Sequence, residues 1–453
     1  MLAGAKIDDE RGMPYTTLTW GLPFIGLLLT IAVAPLAVPQ IWGRHYGKLV
    51  GFWALAYITA DLLHDGASAT GQRLLDMALN TYLPFVLLLG ALFVVTGGLR
   101  IRGAPHGTPG VNTALLAIST AVSSCIGTPG ASMLMLRPLL RANRHRPSAA
   151  HVYVFYIFLV CNIGGALTPL GNPPLFLGYL RGVPFFWPVV HLFVPTVTVA
   201  ASVLAVFYAV DRHIYRRHPK PGETLAEIEK LTVAGGVNLL LLLGAALTMM
   251  LRSFCSLPGA LDLLGVRWSF DDILADVLFL LLGALSLLLT HPATRQENEF
   301  VWTPIREVSI VFAGIFVTLI PVDAIMAAGQ AGPGYALFNA MFEGGAPVVP
   351  LFYLLSGALS SVLDNAPAYL VFFGLAGDDA KLLTGPMALT LTAISAGASY
   401  FGAMTYIGNA PNLMVKSIVE SYGIKMPNFF AYIAWSSLCL LPLLLAAMAL
   451  FFR

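Results

Sequence analysis

The sequence predicts an all-α polytopic membrane protein, with about ten transmembrane helices and two re-entrant hairpins in two inverted repeats of five spans each. A shortage of charge, a series of long apolar runs and an internal self-match carry that expectation.

Of 453 residues, 57% are hydrophobic and 11% charged, and the formal net charge is +2. Soluble domains carry about 25% charged residues, so lipid rather than water must cover most of this surface. A charge this small gives no footing for a nucleic-acid partner. The four cysteines, Cys125, Cys161, Cys255 and Cys439, form no CxxC pair and no metal-like cluster, and read as small core residues. The amino-terminal stretch AKIDDERGMPYTTLTW does not read as a secretory signal.

Crossing ~30 Å of hydrocarbon at ~1.5 Å per residue takes about 20 residues. Leu18 to Val38, Leu83 to Leu99, Trp187 to Val210 and Phe429 to Phe452 approach or exceed that length. The runs are continuous rather than alternating, which selects helices over barrel strands.

Gly165-Ala-Leu-Thr-Pro-Leu-Gly-Asn-Pro-Pro174 matches Gly402-Ala-Met-Thr-Tyr-Ile-Gly-Asn-Ala-Pro411 at six of ten positions, an offset of 237 residues. The same offset pairs Ser123-Ser124 with Ser360-Ser361. Two matches at one offset mark a duplication, with repeats at 1–220 and 221–453 and the polar stretch 211–230 as linker. The first repeat reads as spans at 18–39, 46–63 and 76–99, a hairpin at 112–142, a broken helix at 150–181 and a span at 186–210. The second reads as spans at 234–251, 272–290 and 306–327, a hairpin at 347–376, a broken helix at 385–421 and a span at 428–452. A hairpin too short to span enters and leaves on one side, which leaves five crossings per repeat and turns the second copy upside down. With the amino terminus outside, 17 of the 25 Lys/Arg fall in cytoplasmic segments, the bias expected of a multi-pass protein of the cell (inner) membrane.

Four interruptions then fall inside apolar segments: Ser123–Pro129, Thr168–Pro174, Ser360–Pro367 and Thr405–Pro411. Lipid cannot satisfy backbone groups freed at a break, so breaks persist where they line a cavity or bind an ion. Their side chains are oxygen-rich. Ser123, Ser124, Thr128, Thr168, Asn172, Ser360, Ser361, Asn365, Thr405 and Asn409 are candidate cation and substrate ligands, since hard cations take oxygen donors. Asp364 has Gly127 as its repeat partner, so one hairpin tip alone carries a carboxylate. An ionisable group inside a membrane is a functional candidate by default. Asp364 is therefore expected to exchange a proton for a cation, with Asp323 as a second proton-coupling candidate. The expected sodium site is Asp364, Asn365, Asn409 and Asn172. Asp61 and His64, at the end of the second span, rank lower, and Arg306 with Glu307 read as a boundary pair.

At these residues the chain resembles the ion transporter superfamily of secondary carriers, which includes NhaD-type sodium/proton antiporters, arsenite permeases and citrate carriers. Asp364-Asn365-Ala366-Pro367 is similar to the Asp-Asn-x-Pro tip of the NhaD and arsenite-permease branches, and Gly171-Asn172 and Gly408-Asn409 to their Gly-Asn loops. The Ser-Asn-Thr signature of the dicarboxylate branch is absent. The resemblance implies a scaffold, a mobile transport domain, frequent homodimers and elevator-like alternating access.

The leading expectation is a sodium (cation)/proton antiporter, because the single carboxylate and neutral oxygens suit a cation and no Arg is expected to lie buried for an anion. The alternative is a carrier of citrate or another organic anion, bound by half-helix amino termini; arsenite extrusion comes third. Without an HExxH or GxSxG motif, an enzyme is not expected. The reading calls for no cofactor, only transported sodium or another monovalent cation, protons, a small ion or organic anion as substrate, and the lipid bilayer.

Overall fold

A computed structural model of the protein describes residues 15–103, 105–217, 232–254 and 257–453. Cys255 and the linker beyond Arg217 lie outside these residues. The protein is an all-α polytopic membrane protein. Among the described residues, strands occur as three short antiparallel pairs between helices. Among the described residues, seven helical stretches are long and apolar enough to cross a membrane, and shorter apolar helices accompany them.

The first part of the chain forms α1 (Leu22–Ala37), α2 (Pro39–Met77) and α3 (Leu83–Gly97). A loop is expected between residues 63 and 76, yet α2 is helical on both sides of one residue, Gly66, at φ +80°. In a straight helix Asp61 and Arg73 would lie ~18 Å apart; here Arg73 Nη1 sits 2.5 Å from Asp61 Oδ1. The chain therefore folds back at Gly66, and one residue does the work of the expected loop. The left-handed φ explains why it is glycine. Arg73 also bonds Asp65, and Tyr15 donates to Asp61 at 3.0 Å, so the charges that would have made a polar loop are consumed inside the turn.

The hairpin at 112–142 is α4 (Pro109–Ile126) and α5 (Thr128–Ala142). Asn112 and Asn143 exchange amide hydrogen bonds at 2.9 and 2.8 Å across its base, so both ends return to the same place. α6 (Ala150–Leu159) and α7 (Pro173–Leu180) are the halves of the broken helix. α8 (Trp187–Arg217) follows. It was expected to end at 210, with a linker from Asp211. Instead Asp211 is fully buried, 2.5 Å from Arg146, 2.8 Å from His151 and 3.1 Å from Asn112. Those partners fold the first part of the supposed linker into the helix.

The second part contains α9 (Val237–Phe254), α10 (Phe270–Leu289), α11 (Pro292–Glu297), α12 (Thr303–Ala327) and α13 (Tyr335–Met341). The second hairpin is α14 (Val349–Val362) and α15 (Asn365–Leu375), followed by the short α16 (Ala380–Thr384). The second broken helix is α17 (Ala388–Tyr400) with α18 (Ala410–Ser421), and the last span is α19 (Phe429–Cys439) with α20 (Leu441–Phe451). That span bends at Leu440, where Pro442 supplies no N–H.

The packing is paired across the two parts. α2 lies on α1 and α12, as α10 lies on α9 and α3; α3 packs against α5, as α12 does against α15; α18 meets α5, as α7 meets α15. α14 and α17 approach through Gly357 and Gly397; a Cβ on Gly397 would fall 2.4 Å from the Tyr353 carbonyl. Small residues at such crossings let helix backbones touch in lipid, where no hydrophobic force pulls them together. α8 runs from the segment after the second hairpin to the base of the first. Its carboxyl-terminal Asp211 is bonded to the base of the first, and its amino-terminal Trp187 donates to the Thr384 carbonyl at 3.3 Å, in the segment leaving the second.

Candidate functional site

Each hairpin is tied to the broken helix that follows it by similar bonds. Ser123 Oγ donates to the Val160 carbonyl at 2.7 Å, and Ser360 Oγ to Ala398 at 2.6 Å. Thr168 Oγ1 donates to the Ser124 carbonyl at 2.5 Å, and Thr405 Oγ1 to Ser361 at 2.6 Å. Each threonine oxygen then accepts the N–H of a motif glycine, Gly171 at 3.2 Å and Gly408 at 3.1 Å. Backbone therefore lies against backbone. A Cβ on Gly171 would stand 2.3 Å from the Gly165 oxygen, and one on Gly408 2.6 Å from that of Gly402. Six of the expected ligands, Ser123, Ser124, Thr168, Ser360, Ser361 and Thr405, thus direct their hydroxyl protons to backbone carbonyls.

The four breaks meet. Thr128 N–H, at the first tip, donates to the Gly171 carbonyl at 2.9 Å. Asn365 Nδ2, at the second tip, donates to Asn172 Oδ1, in the first broken helix, at 2.8 Å. Asp364 caps α15 through the Ala366 N–H at 3.2 Å and also accepts the N–H of Ala410, where α18 begins. Asn409 Nδ2 reaches back to the Cys161 carbonyl at 2.7 Å and Asn162 Oδ1 at 3.2 Å. Asn172, Asn365, Asp364 and Asn409 are thereby linked through these contacts.

Asn162 and Asn412 were missed. Asn162 Nδ2 bonds Asn412 Oδ1 at 2.9 Å, and Asn412 Nδ2 holds the Gly402 and Thr405 carbonyls at 2.8 and 2.9 Å. The duplication could not flag them, because their repeat positions hold Ser399 and Leu175. A buried Asn beside a glycine-rich break was the available signal.

Four helices begin at this junction: α5 at Thr128, α7 at Pro173, α15 at Asn365 and α18 at Ala410. Helix amino termini carry positive partial charge and unsatisfied donors. At α15 and α18 the Asp364 carboxylate meets that charge. At α5 and α7 the equivalent residue is Gly127, at φ +82°, with no side chain to do so. There Thr128 Oγ1 and Asn172 Nδ2 are buried without a hydrogen-bond partner, as is Asn365 Oδ1. The residues themselves are 0, 1 and 0% exposed. Buried polar atoms are rarely left unpaired; these three comprise one donor, one acceptor and a hydroxyl that can serve as either.

Asp323 lies elsewhere, on α12, bonded to Arg181. Arg181, past the end of α7, also bonds Asp378. Asp61 lies in the Gly66 turn with Arg73. Glu307 accepts from Trp42 Nε1 at 3.0 Å.

Comparison with known proteins bears on this geometry. Residues 13–452 match the model of a family described as "Putative citrate transport". Relatives named as uncharacterized transporters occur in Mycobacterium bovis and Mycobacterium tuberculosis, each 24% identical over 361 residues, 75% of this chain and 78% of the relative. A 46 kDa membrane protein of Mycobacterium leprae is 22% identical over 362 residues, 75% of this chain and 79% of its own.

Proposed function

Because the chain belongs to the citrate-transport family whose model spans it, we propose that this membrane transporter is a secondary carrier of citrate or a similar small polycarboxylate, coupled to a cation or proton at Asp364. The observation that carries the reading is the asymmetry of the junction. α15 and α18 have a built-in carboxylate at their amino termini, whereas α5 and α7 have none and present the unpaired Thr128 hydroxyl and Asn172 amide. A substrate carboxylate takes, in the first repeat, the place that Asp364 takes in the second. Helix termini and neutral donors suffice to hold it without Arg. A cation or proton beside Asp364 then offsets the second negative charge brought into lipid.

The two repeats, 1–220 and 221–453, are read as inverted copies with the amino terminus outside. Supporting this, one end of α8 is bonded to the base of the first hairpin and the other to α16, which follows the second, and the threonine hydrogen bonds of the two motifs correspond. Alternating access follows when two such halves exchange roles around the junction.

Sodium/proton antiport is the second reading. It is favoured by the Asp364 carboxylate, which holds the Ala366 and Ala410 N–H groups where Asn365 and Asn409 lie next in the chain, with no basic residue bonded to it among the described residues. Purified protein in liposomes separates the two. Citrate-loaded vesicles that accumulate labelled citrate by counterflow support the carrier; a sodium-dependent proton flux without any carboxylate requirement supports the antiporter. In the carrier, Thr128→Val with Asn172→Leu raises the substrate KM, and Asp364→Asn abolishes the dependence on the coupling ion.

A further inference from the structure

The two half-helices that begin at the Asn172–Asn365 contact also end together. Arg181 directly follows α7, Asp378 lies three residues past the end of α15, and the Arg181 guanidinium is bonded to Asp378 Oδ1. Its other terminal nitrogen is bonded to Asp323 Oδ2, on α12 two residues past Pro321. Phe373 lies beneath the guanidinium, 5.7 Å from ring centre to Cζ. One eight-residue helix, ~12 Å long, thus separates the binding junction from this ion triad.

The triad is unbalanced. One cation holds two carboxylates, leaving one negative charge in excess. Asp323 Oδ1 is buried and has no hydrogen-bond partner, so it can take a proton without giving up a bond, and the side chain as a whole keeps 24% exposure. Arg181 and Asp378 are the charges that act on it. The neighbouring α1, α3 and α15 carry no charged side chain, and α15 adds the Tyr369 phenol. From α2, the group Asp61, His64, Asp65 and Arg73 pairs within itself. The duplication supplies no second triad: the positions equivalent to Arg181, Asp323 and Asp378 hold Ile418, Val86 and Arg141.

We propose that Asp323 is a proton-exchange site whose charge decides whether α7 and α15 are fastened to α12. Ionised, it holds Arg181 and with it the ends of both site-bearing helices. One proton taken from the aqueous phase cancels its charge; Arg181 keeps Asp378 as a neutral pair, and the fastening to α12 opens. Loss of that proton closes it again. This rests on the carrier reading, because a fastening that opens and closes matters where one site must face two sides in turn.

Infrared difference spectra of the full-length protein in lipid, recorded across pH, test the site without any substrate. With Asp364→Asn as the reference, so that the junction carboxyl does not contribute, one protonated-carboxyl band is expected to be lost on adding Asp323→Asn and displaced on adding Asp323→Glu. Arg181→Gln raises its midpoint by ~1 pH unit or more, since a neighbouring cation is lost. In liposomes, the ratio of pH-driven citrate uptake to citrate counterflow falls at least ~10-fold in Asp323→Asn, a loss of ~1.4 kcal/mol of coupling. If no band is lost on adding Asp323→Asn to Asp364→Asn the proposal is overturned, as it is by an Arg181→Gln midpoint that stays put. If the wild type shows no carboxylate counterflow at all, the substrate named above fails, and the infrared result still decides Asp323.

Discussion

Asn365 donates its amide N–H to Asn172 Oδ1 at 2.8 Å across 193 residues of sequence, joining the tip of the second hairpin to the first broken helix. The bond uses one donor and one acceptor and leaves one of each. Replacing Asn172 with Leu removes the acceptor of the Asn365 amide and strands that buried donor at a cost of ~1–3 kcal/mol. Substrate affinity in counterflow is expected to fall about 10-fold or more, with the protein still monodisperse in detergent. Unchanged affinity would remove Asn172 from the site.

The Asp211 network makes a prediction about stability alone. Removing one member of a buried ion pair costs ~3–5 kcal/mol, whereas replacing both with apolar groups of similar size is often close to neutral. Asp211→Asn leaves Arg146, 6% exposed, with a neutral partner. Thermal unfolding followed by size-exclusion chromatography should show a clear drop in Tm for that variant, and substantial recovery in Arg146→Met with Asp211→Leu. An equal drop in both would mean that His151 and Asn112 need the carboxylate as much as Arg146 does.

Glycines at backbone crossings should separate sharply from glycines in open helix. Gly171→Ala and Gly408→Ala force a methyl to within 2.3 and 2.6 Å of carbonyl oxygens that other bonds hold in place; overpacking of this kind costs ~1–3 kcal/mol. Gly43→Ala, in α2 with nothing within 4 Å, should be neutral or stabilising by up to ~1 kcal/mol. The same unfolding assay reads all three, and equal Tm values across the set would contradict the packing described.

Thr168 and Thr405 occupy matched positions and make matched bonds, so Thr168→Val and Thr405→Val should lower Tm by similar amounts, ~1 kcal/mol each. A large inequality would show that the two motifs carry different loads despite their common geometry.

What the sequence revealed followed the physics it encodes directly. Breaks in apolar segments are visible as Gly, Asn and Pro where Leu and Val should be, and helices stop beside them: α4 at Ile126, α6 at Leu159, α14 at Val362 and α17 at Tyr400. The Gly66 reversal was hidden because its polarity is spent inward: Asp61, Asp65 and Arg73 look like a solvated loop until they are seen bonded to one another. Asp211 misled for the same reason. At the site, duplication singled out residues that repeat, and those proved to include the tethers of the scaffold, such as Thr168 and Thr405. Residues that break the repeat, Asp364, Asn162 and Asn412, make the junction asymmetric, and only the carboxylate announced itself.

One feature of α8 reaches beyond the protein. Trp187 and Asp211 stand 24 positions apart on a single helix, ~36 Å along its axis, and each is fastened to the region of a different hairpin. Acyl-chain length therefore acts on both at once. A thinner bilayer tilts that strut and a thicker one draws it upright, so the lipid itself becomes a setting for how tightly the two corners are held.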